Sequence, residues 1–354
     1  MKFLIVNPFG IGDLLFTSGM VREIKAAAPE NRASYWCNLR VKEILENNPR
    51  LDKVFALSRG DLKNLYRQSP LRAAQEFLSL AKGIKKEHFD TLIDFSLDHR
   101  YCLLAKILGI KQRVGFDYKN RGRFLTKKIK ITSYDKQHIV DYYLKVLEIL
   151  NIQPKSKELE VFSSEKNDQT ANNLFSKNSI QGSDIVIGIA AGAGASWGKD
   201  AGLKRWPAIK YAQACDKILE SYNAKIVLLG DASEKPITGV IRAAMKNKPI
   251  DLTGNLSLGE LISVIKKLSL LITNDGGPLH IAVANNVKTI SIFGPVDEKV
   301  YGPYPPSARH IVITAGVNCR PCYCNFKMPP CDQDRQCVYS IDSQTVFQAA
   351  RRQL

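Results

Sequence analysis

No stretch of this chain is long or apolar enough to cross a bilayer, which argues against an integral membrane protein. A cleavable leader is not expected either. The start, Met1-Lys2-Phe3-Leu4-Ile5-Val6-Asn7, has only a short apolar run and no small-residue cleavage site, and reads as a first buried strand. The expected location is therefore the cytoplasm. Short repeats and low-complexity tracts are absent. Acidic residues are scarce, with 34 Asp+Glu against 51 Lys+Arg and a formal net charge of +17. The chain lacks a helix-turn-helix, a zinc-finger pair and an RNA-binding aromatic signature, so nucleic acid is not an expected partner. The turn Phe9-Gly10-Ile11-Gly12-Asp13 has no third glycine, since position 15 is Leu15, and this disfavours a nicotinamide cofactor. No lysine stands in a recognisable pyridoxal-binding setting, which disfavours a phosphorylase.

What is present describes two α/β domains. A chain of 354 residues exceeds one ordinary core, and 45% hydrophobic with 24% charged residues is the composition of a folded protein. Apolar strand-like runs alternate with helical periodicity throughout. Strands are expected at 2–7, 32–37, 53–57 and 91–95, then at 185–190, 225–229, 250–252, 270–273 and 289–293. Residues 61–88 read as helical but unusually basic, with Leu62, Leu65, Leu71, Phe77, Leu78, Leu80 and Ile84 at apolar positions. Two such series imply two doubly wound parallel sheets. The expected divisions are a first domain at 1–165, a polar hinge at 166–182, a second domain at 183–338 and a terminal helix at 339–354.

The basic excess lies mainly in the first half, where residues 1–160 hold 29 Lys+Arg against 18 Asp+Glu. It concentrates in 111–130, where Lys111, Arg113, Lys119, Arg121, Arg123, Lys127, Lys128 and Lys130 face one acid, Asp117. Such a patch suits anionic headgroups or a phosphorylated substrate, or is a solvated surface.

In open α/β sheets, ligands bind beyond the carboxyl ends of strands. The loop Ala191-Gly192-Ala193-Gly194-Ala195-Ser196, running on to Lys204-Arg205-Trp206-Pro207, fits either a turn or a phosphate cradle with Lys204 as its cation. Asn274-Asp275-Gly276-Gly277-Pro278-Leu279-His280 opens a helix with two glycines whose N–H donors and dipole attract a pyrophosphate. Asp275 and His280 serve there as ligand contacts or as a cap and a structural histidine. The loop Gly230-Asp231-Ala232-Ser233-Glu234 offers carboxylates for ribose hydroxyls, or is a solvated turn. Asp13 begins the first helix, either as an acid stabilised by the dipole or as a general base that takes a proton from an attacking sugar hydroxyl.

Gly10-Ile11-Gly12-Asp13-Leu14-Leu15, Lys204-Arg205-Trp206-Pro207, Asn274-Asp275-Gly276-Gly277-Pro278-Leu279-His280 and Phe293-Gly294-Pro295 occur in an order that resembles glycosyltransferase family 9. That family contains the ADP-heptose:lipopolysaccharide heptosyltransferases, and the resemblance spans about residues 1–352. It implies a GT-B fold, two Rossmann-like domains facing a central cleft, with an ADP-sugar on the second and the acceptor on the first. It further implies inversion at the anomeric carbon, with Asp13 as base and no metal required for catalysis. Lys204, Asp275, Gly276, Gly277 and His280 would line the donor site, with Glu234 at the ribose and Leu256 near the adenine. Gly12, Lys111, Arg113, Arg121 and Arg123 are the candidate acceptor contacts. The segment 193–202 is longer than in well-known members. On this reading the basic segments 61–88 and 111–130 attract an anionic, lipid-linked acceptor at the inner face of the inner membrane. A glycosyltransferase with another nucleotide-sugar or acceptor, or a binding protein without catalysis, remains the alternative.

Five of the eight cysteines fall between Cys319 and Cys337. In a reducing compartment such clustering points to metal or redox chemistry. Cys319, Cys322, Cys331 and Cys337 supply four thiolates, enough for a structural zinc or iron, with free thiols or a disulfide as the alternative. Cys324 is a fifth thiol with no place assigned. Cys37, Cys102 and Cys215 are scattered and read as buried thiols.

Overall fold

The aliphatic runs of each half assemble into a six-stranded parallel sheet. The computed structural model describes residues 1–354, leaving out the side chains of Ala195, Ser196 and Lys199. Contacts divide the chain into two units, Met1–Phe162 and Ser163–Leu354.

In the first unit the strands are β1 (Lys2–Val6), β2 (Arg32–Cys37), β3 (Lys53–Ala56), β4 (Thr91–Asp94), β5 (Gln112–Tyr118) and β6 (Lys127–Ile131). Their order is β3-β2-β1-β4-β5-β6, with every neighbouring pair parallel. The central strand β1 is apolar from Phe3 to Val6 and buried there, as helices covering both faces of a parallel sheet require. The second unit repeats the plan with β7 (Ile185–Ala190), β8 (Ala224–Leu228), β9 (Ile250–Asp251), β10 (Leu270–Asn274), β11 (Lys288–Phe293) and β12 (His310–Thr314). Its order is β12-β11-β10-β7-β8-β9, again parallel throughout. Each sheet therefore winds outward from its first strand, then reverses and continues on that strand's other side. Cys37, Cys102 and Cys215 are buried free thiols, as their scatter suggests. Among the described residues no helix is long and apolar enough to cross a membrane.

The structure departs from the sequence reading in several places, and the edge strand β12 is one that no expected strand covers. The basic stretch 111–130 is not one surface tract, because it contains β5, a turn and the edge strand β6. Lys127, Lys128 and Lys130 lie along β6, where lysines on an edge discourage pairing with another chain. The tract 166–182, expected as a hinge, instead carries the helix Glu165–Lys177 within the second unit. Ser164 caps that helix by accepting from the Asn167 backbone N–H, and its main buried residue is Ala171, so a polar composition suffices for a surface helix. The basic segment 61–88 is two helices, Arg59–Gln68 and Pro70–Glu87, broken at Ser69-Pro70. Of its apolar positions Leu80 and Ile84 are buried, whereas Leu71, Phe77 and Leu78 are exposed.

Candidate functional site

A sheet ordered in this way reverses direction beside its first strand, and the crevice at that reversal is where α/β proteins take ligands. In the second unit the reversal lies between β7 and β10, so the loops after Ala190 and Asn274 flank it. The two loops are tied together there. Asn274 Nδ2 donates to the carbonyls of Ala191 (2.7 Å) and Gly192 (3.0 Å), and its Oδ1 accepts from the Trp206 backbone N–H at 3.0 Å. One buried side chain thus joins the glycine loop, the Lys204–Pro207 segment and β10.

The charges meet at the same point. Lys204 Nζ lies 2.6 Å from Asp275 Oδ2, with side-chain exposures of 2% and 8%. The ammonium also sits over the Trp197 ring, 3.9 Å from its centroid. Charges this deep persist only when paired, and a cation over an indole face gains further attraction. Gly276 and Gly277 then open the helix Gly277–Ala284, with Pro278 in its first turn where no N–H is needed. His280 is buried on that helix.

Glu234 is placed by two glycines. Its carboxylate accepts from the Asp231 N–H (3.1 Å) and more weakly from the Gly194 N–H (3.4 Å). A methyl group added at Gly192 would fall 1.6 Å from Glu234 Oε1, so only glycine admits the carboxylate here. Burial, and then the neighbouring Asp231, raise the Glu234 carboxyl above its ordinary range. Leu256 lies half-buried beyond β9. Lys204, Asp275, Gly276, Gly277 and His280 come together around the β10 loop, and Glu234 joins them through Gly192 and Gly194. The expectation for Ala195 and Ser196 falls on side chains outside the described residues.

In the first unit the reversal lies between β1 and β4, and Asp13 follows β1 in the helix Ile11–Phe16. Its carboxylate accepts from the Gly10 N–H at 3.2 Å, and Gly12 and Asp13 are both half-buried. The basic candidates do not gather. Arg121 stands beyond the carboxyl end of β5, where it reaches the Leu97 carbonyl at 3.5 Å. Arg113 instead stands at the amino end, its guanidinium bonded to the carbonyls of Phe124 (2.7 Å), Ile110 (2.5 Å) and Lys111 (3.0 Å). Lys111 adjoins it, and Arg123 lies over the Phe124 ring at 5.0 Å. Lys111, Arg113 and Arg123 are therefore grouped at one edge of the sheet and Arg121 at the other, because parallel β6 returns the chain to the amino edge.

The four thiols singled out above, Cys319, Cys322, Cys331 and Cys337, line one cavity of about 290 Å³ together with Leu203, Pro295 and Met328, among others. Cys324 does not line it, and its thiol points to the Pro321 carbonyl at 3.7 Å. Burial and the other three thiols push Cys322 up to about 11. Among the described residues no three His, Cys, Asp or Glu side chains already converge tightly enough to hold a metal ion. The segment is braced against loops of the second unit's crevice. Tyr323 packs on Trp197 at 5.1 Å, Arg335 donates to the Gly202 carbonyl at 3.2 Å, and Arg320 reaches Glu298 at 2.8 Å.

Sequence reasoning missed two residues of this site. Asn274 lay within a quoted motif, but its bonds to Ala191, Gly192 and Trp206 depend on tertiary pairing. Trp197 lay in the long loop before Lys204, and no spacing rule links it to that ammonium.

Two reversed parallel sheets, with a glycine-lined helix start and a buried cation at one reversal, define the nucleotide-binding α/β class to which many glycosyltransferases belong. The family model for glycosyltransferase family 9 (heptosyltransferase) matches residues 77–328, and the chain belongs to that family and is a glycosyltransferase. Lipooligosaccharide heptosyltransferase 2 of Haemophilus influenzae is 23% identical over 335 residues, covering 89% of this chain and 90% of the relative. The Campylobacter jejuni enzyme of the same name is 28% identical over 278 residues, covering 75% and 77%. A family 9 glycosyltransferase from Veillonella parvula superposes with a TM-score of 0.83 at 23% identity, over 99% of this chain and 96% of that one. Escherichia coli ADP-heptose lipopolysaccharide heptosyltransferase II gives 0.77 at 18% identity, over 100% and 98%. The fold is that of these enzymes, two parallel-sheet α/β domains of the GT-B kind.

Proposed function

We propose that the chain transfers heptose from ADP-heptose to an inner-core acceptor of lipopolysaccharide, with inversion at the anomeric carbon. The observation that carries this reading is the Lys204–Asp275 pair beside the Gly276-Gly277 helix start, in a chain whose family is that of the heptosyltransferases. The names of the relatives support the heptose and the lipopolysaccharide acceptor.

The chemistry follows from these side chains. An acceptor hydroxyl oxygen attacks the anomeric carbon as the bond from that carbon to the diphosphate oxygen breaks. Asp13 takes the hydroxyl proton, and ADP departs with the bonding pair. Charge grows on the leaving diphosphate, where the Lys204 ammonium and the N–H groups at the start of the helix Gly277–Ala284 offset it. Asp275 fixes that ammonium. Glu234 would take ribose hydroxyls, Leu256 would pack near the adenine, and no metal enters the transfer itself. Arg121 and Gly12 remain as acceptor contacts at the carboxyl edge of the first sheet. The Arg113 guanidinium, by contrast, is occupied by carbonyls.

The test is ADP release from ADP-heptose in the presence of a heptose-deficient lipid acceptor, comparing the wild type with Asp13→Ala. Acceptor-dependent turnover that falls about a hundredfold or more in the variant is the expected result. Equal turnover in both would remove Asp13 as base. Donor binding without turnover in either protein would favour another acceptor or a binding role.

We further propose that the cavity lined by Cys319, Cys322, Cys331 and Cys337 takes a structural zinc or iron, which would draw the four thiols together. Metal analysis of anaerobically purified protein should find close to one equivalent, lost in Cys331→Ser and kept in Cys324→Ser. Less than about one-tenth of an equivalent in the wild type would end the idea.

A further inference from the structure

Lys204 is the cation offered to the departing diphosphate, yet its side chain is only 2% exposed. A phosphate oxygen reaches an ammonium at hydrogen-bond distance only where no protein atom already lies. Something around Nζ must therefore give way when a diphosphate binds. Asp275 Oδ2 stands 2.6 Å from Nζ, and the centroid of the Trp197 ring 3.9 Å from it. Asp275 is itself buried, and drawing it away would leave a carboxylate and an ammonium unpaired in the interior, which is strongly unfavourable. The indole holds the ammonium only through its ring quadrupole, a weaker partner than a charged phosphate oxygen. Of these two partners the ring is the one that yields.

The surroundings of Trp197 suit such a movement. The residue is half-buried, whereas Lys204 and Asp275 are buried. Glycines in the left-handed region stand on both sides of it, Gly194 at φ 77° and Gly198 at φ 50°, ψ −124°. A Cβ at Gly198 would meet nothing within 4 Å, so the backbone angle and not packing calls for glycine there. The Trp197 N–H reaches the Gly194 carbonyl only at 3.4 Å, a long bond. Beside the ring lies an apolar wall. Tyr323 packs edge-on to Trp197 at 5.1 Å and Tyr301 follows at 5.9 Å from Tyr323, both against the cluster of Leu279, Phe293 and Val296. The indole can keep this wall while its face leaves the ammonium.

We infer that Trp197 is a positioning residue of the donor site, holding the Lys204 ammonium against Asp275 in the free chain and displaced from it by a diphosphate. The inference rests on the reading of this crevice as the diphosphate site. It adds that donor affinity is set partly by the ring that must leave.

The test uses ADP alone and needs no acceptor. Of the three tryptophans, Trp36 and Trp206 are buried, so acrylamide quenching of the emission reports chiefly on Trp197. Saturating ADP should raise that quenching, and adenosine, which has no phosphate, should not. Trp197→Phe keeps a ring over the ammonium. It should lose the rise in quenching while binding ADP within about threefold of the wild type by calorimetry. Trp197→Ala removes the competitor and should bind ADP about threefold or more tightly, with an unchanged circular dichroism spectrum. If ADP binds the wild type without raising the quenching, or if a folded Trp197→Ala binds it more weakly, displacement is overturned and the ring is a fixed wall of the site. A wild type that takes up no ADP would overturn the diphosphate reading of the crevice, and this inference with it.

Discussion

The two units share one strand order and treat charge in opposite ways. At its reversal the second unit buries a cation and an anion against each other, Lys204 on Asp275, under the face of Trp197. At the corresponding place the first unit holds two carboxyl groups, Asp13 half-buried after β1 and Asp94 buried at the end of β4 beside Cys102, and spreads its cations along the rim and an edge strand. The same difference holds for the loops. Asn274 joins three segments in the second unit, whereas Asn38 in the first reaches one loop, through the carbonyls of Pro8 (2.9 Å) and Phe9 (2.5 Å). A common topology fixes where a site is, and the side chains decide what each site is. The tightly tied crevice suits a ligand of fixed geometry such as a diphosphate. The looser basic side suits larger and more varied anionic partners.

The contrast breaks most readily at the buried pair. Asp275→Ala leaves the Lys204 ammonium uncompensated and should cost about 3–5 kcal/mol. Asp13→Ala should cost about 1 kcal/mol or less, since that carboxylate is half-buried and chiefly caps a short helix. Denaturant unfolding of the two variants measures the difference, and equal losses would erase the distinction between the reversals. Next in size is Asn274→Ala, which deletes three hydrogen bonds worth about 1 kcal/mol each. Calorimetry should also show its affinity for ADP reduced by about tenfold or more, whereas Asn38→Ala should leave ADP binding unchanged.

Smaller effects come with pH. Burial, and then Arg309, lower His310 in the second unit from 6.5 to about 4. Its unfolded form therefore takes up a proton first, and stability falls as pH drops from about 6.5 toward 4. His310→Gln should flatten that part of the profile in a thermal-unfolding series. In the first unit the Lys128 ammonium, 2.7 Å away, holds the Asp117 carboxyl below its ordinary 3.8. The stabilisation from this group is full above that value and is lost as pH falls through the lower folded one. Asp117→Asn should remove only this last, most acidic portion of the decline.

Much of this was legible because it is local. A run such as Lys225–Leu229 needs no partner to declare a strand, and Asp275-Gly276-Gly277-Pro278 declares a helix start from its own residue types. The alternation of such elements determined two doubly wound sheets, and the motifs placed Lys204, Asp275, His280 and Glu234 near the ends of strands. The 111–130 stretch hid β5 and β6, since lysines on an edge strand look the same in sequence as lysines on a solvated surface. The helix Pro70–Glu87 hid the exposure of Leu71 and Leu78, because periodicity identifies apolar positions without saying which of them meets the core. The sequence by itself determined the kinds of elements, their order and the residue types at the strand ends. Only the tertiary structure decided that Asn274 binds two loops, that Lys204 is buried on Asp275, and that Cys324 stands apart from the other four thiols. Those outcomes depend on which distant segments share a few ångströms of low-dielectric space, where an unpaired polar group is too costly to leave unsatisfied.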